Sequence, residues 1–94
     1  MNMISEWAAR LDRGPHTFRM FENVAVTLTA GSQLKVVSTF QKTKFPYTFI
    51  GESEVLFYLA CDIALGLVFL TSEARGDVAV LVDELRYFSV VLPA

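Results

Sequence analysis

The chain has 94 residues, 53% of them hydrophobic, and a net charge of −2 at pH 7. This length fits one domain, and the charge excludes the excess of basic residues typical of proteins that bind duplex nucleic acid. The single cysteine cannot form an internal disulfide, and the first twenty residues show no signal-peptide pattern. We therefore expect a single domain over residues 1–94 in the cytoplasm.

The apolar content is high for a domain of this size, and the mean hydropathy is +0.43. A small domain buries only about two thirds of the surface that its unfolded chain exposes. Some apolar surface should therefore be covered by another chain. We expect the partner to be another protein. A second copy of the same chain is the simplest candidate, which would give a homo-oligomer, most simply a dimer.

The first segment has apolar residues at positions 4, 7, 8 and 11, a spacing that predicts a short amphipathic N-terminal helix over residues 3–13. The pair Gly14-Pro15 would end this helix. Trp7 would then lie in the core or at an interface.

Four strands follow, predicted at about 16–21, 24–30, 34–41 and 46–50, in a three- to four-stranded antiparallel sheet. The clearest alternation of apolar and polar residues lies in the second. A three-residue loop over 31–33 would pair the second and third strands, with Leu28 opposite Val36, because that register keeps apolar side chains on one face.

The most apolar stretch, Ser53 to Leu70, has apolar residues at spacings of three and four, which predicts a helix over about 53–72. Asp62 lies near its centre, where a charge disfavours a membrane span, so we expect a buried helix instead. Gly66 would mark the close approach of another backbone.

The last segment, about 77–92, fits either a helix or two strands on either side of Asp83-Glu84. Its length and the capping residue Asp77 favour the helix. The predicted fold class is therefore α+β, with a short N-terminal helix, an antiparallel sheet and two C-terminal helices packed on that sheet.

Catalytic chemistry has few candidate residues. His16 is the only histidine and Cys61 the only cysteine, and no local pattern brings them together. A thiol nucleophile also needs an orienting group and oxyanion donors, and a zinc site needs about four ligands. We expect no catalytic residue, no cofactor and no metal, with Cys61 as a small hydrophobic residue.

The sequence favours a non-enzymatic protein-binding module that occludes or bridges a partner. By analogy of class alone, compact chains of this kind include phage and mobile-element inhibitors of bacterial machinery, among them anti-CRISPR and immunity proteins. The candidate interaction surface consists of Trp7, Lys35, Lys42, Lys44, Tyr47, Tyr58, Asp62, Gly66 and Phe69.

Two alternatives remain open. A small-molecule site would lie in an aromatic cleft between sheet and helix, lined by Phe18, Tyr47, Phe49, Tyr58 and Phe69. A single-stranded nucleic acid would instead stack on the aromatic rings around Lys35, Lys42 and Lys44, with its phosphates paired to these lysines.

Overall fold

The computed structural model describes residues 11–37 and 54–91, together with the backbone of residues 40–41 and 49–50. Strands dominate this part of the chain: β1 His16–Arg19, β2 Ala25–Leu28, β3 Gln33–Val36, β4 Phe40–Gln41, β5 Phe49–Ile50, β6 Val55–Asp62, β7 Leu67–Ser72, β8 Gly76–Leu81 and β9 Phe88–Val90. Two 3-10 segments, Phe21–Asn23 and Val82–Tyr87, are the helical elements among the described residues.

The main layer is a five-stranded antiparallel sheet with the strand order β8-β7-β6-β3-β9. A hairpin of β1 and β2 forms a second, two-stranded sheet, and β4 pairs with β5 in a third. The predicted α+β class is therefore wrong, because the described chain is mostly β.

The pairing predicted for the second strand is also wrong. β2 pairs with β1, so that Leu28 lies opposite His16, while β3 lies between β6 and β9. Alternation of apolar side chains shows which face of a strand is buried, but it does not identify the neighbouring strand. Both Leu28 and Val36 are buried, as predicted, yet in different sheets.

The long apolar stretch forms the β6–β7 hairpin instead of the predicted helix over 53–72. Its chain reverses through a turn at residues 63–66, where the Asp62 carboxylate accepts a hydrogen bond from the Leu65 N–H (3.3 Å) and Gly66 has a φ of 68°. A side-chain acceptor followed by a glycine with positive φ is turn chemistry. Both faces of these strands carry apolar side chains, although the outward face is only partly covered, with Phe57 39% exposed. The alternation that marks a strand is therefore lost, which explains the helix-like spacing.

The predicted C-terminal helix over 77–92 is replaced by β8, the 3-10 segment at 82–87 and β9. The break follows Leu81, whose N–H donates to Oε1 of the buried Glu84 at 2.7 Å. The strand alternative around Asp83-Glu84 is therefore the correct one.

Most of the predicted N-terminal helix lies outside the described residues, but Asp12 within it is extended and bridges to Cys61.

The core lies between the inner face of the main sheet and the β1–β2 hairpin. Its fully or nearly fully buried side chains come from both layers and from the 3-10 segment: Phe18, Met20, Leu28, Leu34, Val36, Leu56, Tyr58, Cys61, Val68, Leu70, Val80, Leu85 and Phe88. Burying so many aliphatic and aromatic side chains, at about 1.5–3 kcal/mol each, is the main stabilising contribution to this fold. None of the helical segments among the described residues is long and apolar enough to cross a bilayer.

Candidate functional site

The tip of the β6–β7 hairpin has an unusual surface. Ile63, Ala64 and Leu65 follow one another in the turn and are all exposed, Ile63 by 50% and Leu65 by 56%. Turns are normally occupied by polar residues, glycine and proline. Consecutive exposed apolar residues lower the solubility of a protein and are unusual unless they serve a function. This apolar tip is therefore a candidate contact surface.

A groove of about 550 Å³ lies beside the apolar tip. Its floor is apolar, with Phe18, Met20 and Val82, and Ile63 forms part of its wall. The rest of the lining is charged or polar: His16, Thr17, Arg19, Glu22, Asn23, Asp83 and Arg86. An apolar centre with a polar rim is the usual anatomy of a protein–protein contact surface.

A second feature at this end of the molecule is a cluster of ionisable groups that begins with Asp12 and Cys61. Their backbones exchange two hydrogen bonds, from the Asp12 N–H to the Cys61 carbonyl (2.9 Å) and from the Cys61 N–H to the Asp12 carbonyl (3.0 Å). In such an antiparallel pair both side chains lie on the same face, with Cβ atoms about 5 Å apart. The backbone thus fixes a carboxylate beside a thiol.

His16 completes the cluster from the first residue of β1. Its Nδ1 lies 3.9 Å from Oδ2 of Asp12, and the ligand atoms of Asp12, His16 and Cys61 all lie within 4.8 Å of one another. The other carboxylate oxygen of Asp12 accepts a hydrogen bond from the Gly14 N–H at 2.9 Å, which orients the side chain. The His16 ring meets the Phe18 ring edge-on at a centroid distance of 4.9 Å.

Tyr58 lies beneath the cluster because β6 contains a bulge. The pairing with β7 shifts by one residue between Tyr58 and Ala60, so Tyr58 and Cys61, three positions apart, both face the core. In a regular strand they would lie on opposite faces. The Tyr58 hydroxyl is fully buried and makes no hydrogen bond of standard geometry with any described residue.

Burial controls the ionisation of this pair. It raises the pKa of the Cys61 thiol above the ordinary value of 9.0; the Tyr58 hydroxyl lowers it and the charges of Asp12 and Asp62 raise it. Burial also raises the pKa of Tyr58, as do the interaction with Cys61 and the charge of Asp12. At neutral pH both groups are therefore protonated, and Cys61, with no exposed surface, is poorly suited to act as a nucleophile.

The structure brings His16 and Cys61 together, although no local sequence pattern indicates this, and adds Asp12 as a third group. Sequence reasoning missed Asp12 because it placed this residue in a helix. The only available signal was the Gly14-Pro15 turn, which separates Asp12 from His16 and lets the chain fold back. Ile63 and Leu65 were also missed, because both lie inside the stretch that was predicted as a buried helix.

The predicted surface residues are scattered. Tyr58 is fully buried and Asp62 is 6% exposed, so neither presents a surface to a partner in this fold. Gly66 lies in the hairpin turn and not at a contact between two helices. Lys35 is exposed on β3, and Phe69 is half-buried on β7. The remaining four lie outside the described residues: Trp7, Lys42, Lys44 and Tyr47.

The aromatic cleft predicted for a small molecule is not assembled by the residues that are described. Phe18 and Tyr58 face each other inside the core, with ring centroids 6.0 Å apart. Phe69 alternates with the buried Val68 and Leu70 and so points to the opposite face of the sheet.

No protein-family model, curated protein or solved structure matches this chain.

Proposed function

We propose that this protein is a non-enzymatic protein-binding module that docks through the apolar tip at residues 63–65 and the adjacent groove. The single observation that carries the proposal is the exposure of three consecutive apolar residues at the end of the β6–β7 hairpin, directly after the buried residues Ala60, Cys61 and Asp62. Contiguous apolar surface of this kind is costly in water and is typical of interaction sites.

A second copy of the chain is the first partner that this surface fits. The tip is apolar and exposed, and the groove beside it is lined by the apolar side chains of Phe18, Met20 and Val82. In a two-fold dimer each tip could occupy the other groove, because an isologous contact uses the same patch on both copies. The high apolar content of the chain is consistent with such pairing.

The free thiol of Cys61 suits a reducing compartment, so we propose that this activity is located in the cytoplasm.

The test is a comparison of solution masses by light scattering over a range of concentrations. We expect the wild-type chain to dimerise and the variant Ile63→Ser/Leu65→Ser to remain monomeric at the same concentrations. Val24→Ser is the matched control, since Val24 is similarly exposed (53%) but does not line the groove. This control should dimerise like the wild type.

A heterologous partner is tested by a photo-crosslinking residue at position 64, in the centre of the tip, compared with one at the exposed position 77 on β8. Crosslinks from position 64 to a second copy or to one defined protein support the proposal. A wild-type chain that stays monomeric and crosslinks no more from position 64 than from position 77 would contradict it.

A further inference from the structure

The geometry points to a site for one Zn²⁺ ion held by the Asp12 carboxylate, the His16 imidazole and the Cys61 thiolate, with water as the fourth ligand. The site shares His16 with the lining of the groove described above, but the proposal does not rest on the docking function. It rests on three donors of different chemistry that the fold places together, and on the buried Tyr58 hydroxyl beside the thiol, which makes no hydrogen bond of standard geometry with a described residue.

The donor set selects the metal. Thiolate and imidazole ligands favour Zn²⁺ and related transition metals, whereas Mg²⁺ and Ca²⁺ prefer oxygen donors alone. Three protein ligands with one open position are a familiar zinc arrangement. A tetrahedral zinc site keeps its ligand atoms about 3.5 Å apart, so the observed separations of up to 4.8 Å need only small side-chain rotations to close.

The backbone prepares the site before the ion arrives. Asp12 and Cys61 are fixed side by side by their two mutual hydrogen bonds, and the Gly14 N–H holds one oxygen of Asp12, which leaves the other directed to His16. Such outer hydrogen bonds orient metal ligands in known sites. The bulge in β6 turns Cys61 toward the same point from below.

The arrangement also provides an entry path. The side chains of Asp12 and His16 are 52% and 34% exposed, whereas Cys61 lies fully buried behind them. The ion can therefore meet the carboxylate and the imidazole first and the sulfur last. Binding replaces the proton on Sγ of Cys61, and this proton leaves to the buffer. The buried Tyr58 hydroxyl beside the sulfur would then donate a hydrogen bond to the thiolate, which is a stronger acceptor than the thiol.

The test is a titration of the metal-free chain, without a histidine tag, with Co²⁺ as a spectroscopic substitute for Zn²⁺. We expect one Co²⁺ per chain, visible ligand-field absorption of a tetrahedral ion and a thiolate-to-cobalt charge-transfer band, all removed by added Zn²⁺. Because the chain has one cysteine and one histidine, the charge-transfer band reports on Cys61 alone, and His16→Gln removes every imidazole.

We expect His16→Gln and Asp12→Asn each to weaken binding at least about tenfold, while Asp77→Asn, at an exposed carboxylate on β8, leaves it unchanged. Zn²⁺ at one hundred times its dissociation constant should raise the melting temperature by on the order of 10 °C, and Mg²⁺ should not. A missing charge-transfer band in the wild-type chain would overturn the proposal. So would equal affinity of His16→Gln and wild type.

Discussion

At the scale of single residues, the buried hydroxyl of Tyr58, which interacts with the Cys61 thiol without a hydrogen bond of standard geometry, gives the most direct test of the core. A buried polar group without a hydrogen bond reduces stability, whereas the phenyl ring alone fills the same space. We expect Tyr58→Phe to leave the metal-free chain as stable as the wild type or more stable by up to about 1 kcal/mol, measured by urea unfolding. Tyr87→Phe is the control, because the Tyr87 hydroxyl accepts a hydrogen bond from Arg86 at 3.0 Å. A clear loss of stability in Tyr58→Phe alone would show that its hydroxyl has a partner.

The same buried pair makes stability depend on alkaline pH. The pKa values of Cys61 and Tyr58 are raised in the folded state above their ordinary values of 9.0 and 10.0. The unfolded chain therefore loses these protons at a lower pH than the folded chain does. Their contribution to stability is complete below about pH 9 and falls as the pH rises beyond it. Urea midpoints of the metal-free chain should thus fall from about pH 7.5 to about pH 10.5, and fall less steeply in Cys61→Ala/Tyr58→Phe. Equal slopes in the two proteins would contradict this prediction.

At the scale of secondary-structure elements, Gly66 distinguishes the observed hairpin from the helix that the sequence favours. In a helix, Gly66→Ala would stabilise the chain by about 1 kcal/mol. In the observed turn, φ is 68° and a Cβ atom would meet nothing within 4 Å, so the substitution adds only backbone strain. We expect a loss of about 1–2 kcal/mol in a urea unfolding experiment. A gain in stability would favour the helix.

The strands were predictable where apolar and polar residues alternate, as in β1 and β2, both of which lie inside their predicted ranges. They were not predictable in β6 and β7, because these strands carry apolar residues on their partly exposed outward face as well as on the buried one, so the alternation is lost and the apolar residues match a helical spacing by chance. The turn between them was encoded in Asp62 and Gly66, two residues that the helix interpretation treated as exceptions to its pattern.

The ionisable cluster could not be predicted for a different reason. Asp12 and Cys61 are far apart in the sequence and meet through one antiparallel bridge, and the inward direction of Cys61 depends on a one-residue bulge. Residue spacing carries no signal for either event, since strand pairing and bulge position are decided by tertiary packing. The sequence shows which ionisable residue types are present, but it does not show that they lie close together in the fold.

At the scale of the whole molecule, the apolar residues fall into two groups. Some are buried and stabilise the fold, and others are exposed and contribute little to its stability. Leu28 is fully buried between the two layers, and Leu28→Ala should cost about 2–5 kcal/mol. Ile63 and Leu65 are at least half exposed in the isolated chain, so Ile63→Ser/Leu65→Ser should change its stability by no more than about 1 kcal/mol.

The dependence of stability on protein concentration shows whether the apolar tip is used for dimerisation. Association stabilises the folded state by mass action, so a wild-type dimer should unfold at a higher urea concentration as protein concentration increases. We expect this dependence in wild type and in Val24→Ser, and its absence in Ile63→Ser/Leu65→Ser. If the double variant instead loses as much stability as Leu28→Ala in dilute solution, the tip supports the fold itself, and its exposure does not mark an interface. If the double variant is as stable as the wild type in dilute solution but its stability no longer depends on protein concentration, the tip serves binding, because only contacts between chains have then been removed.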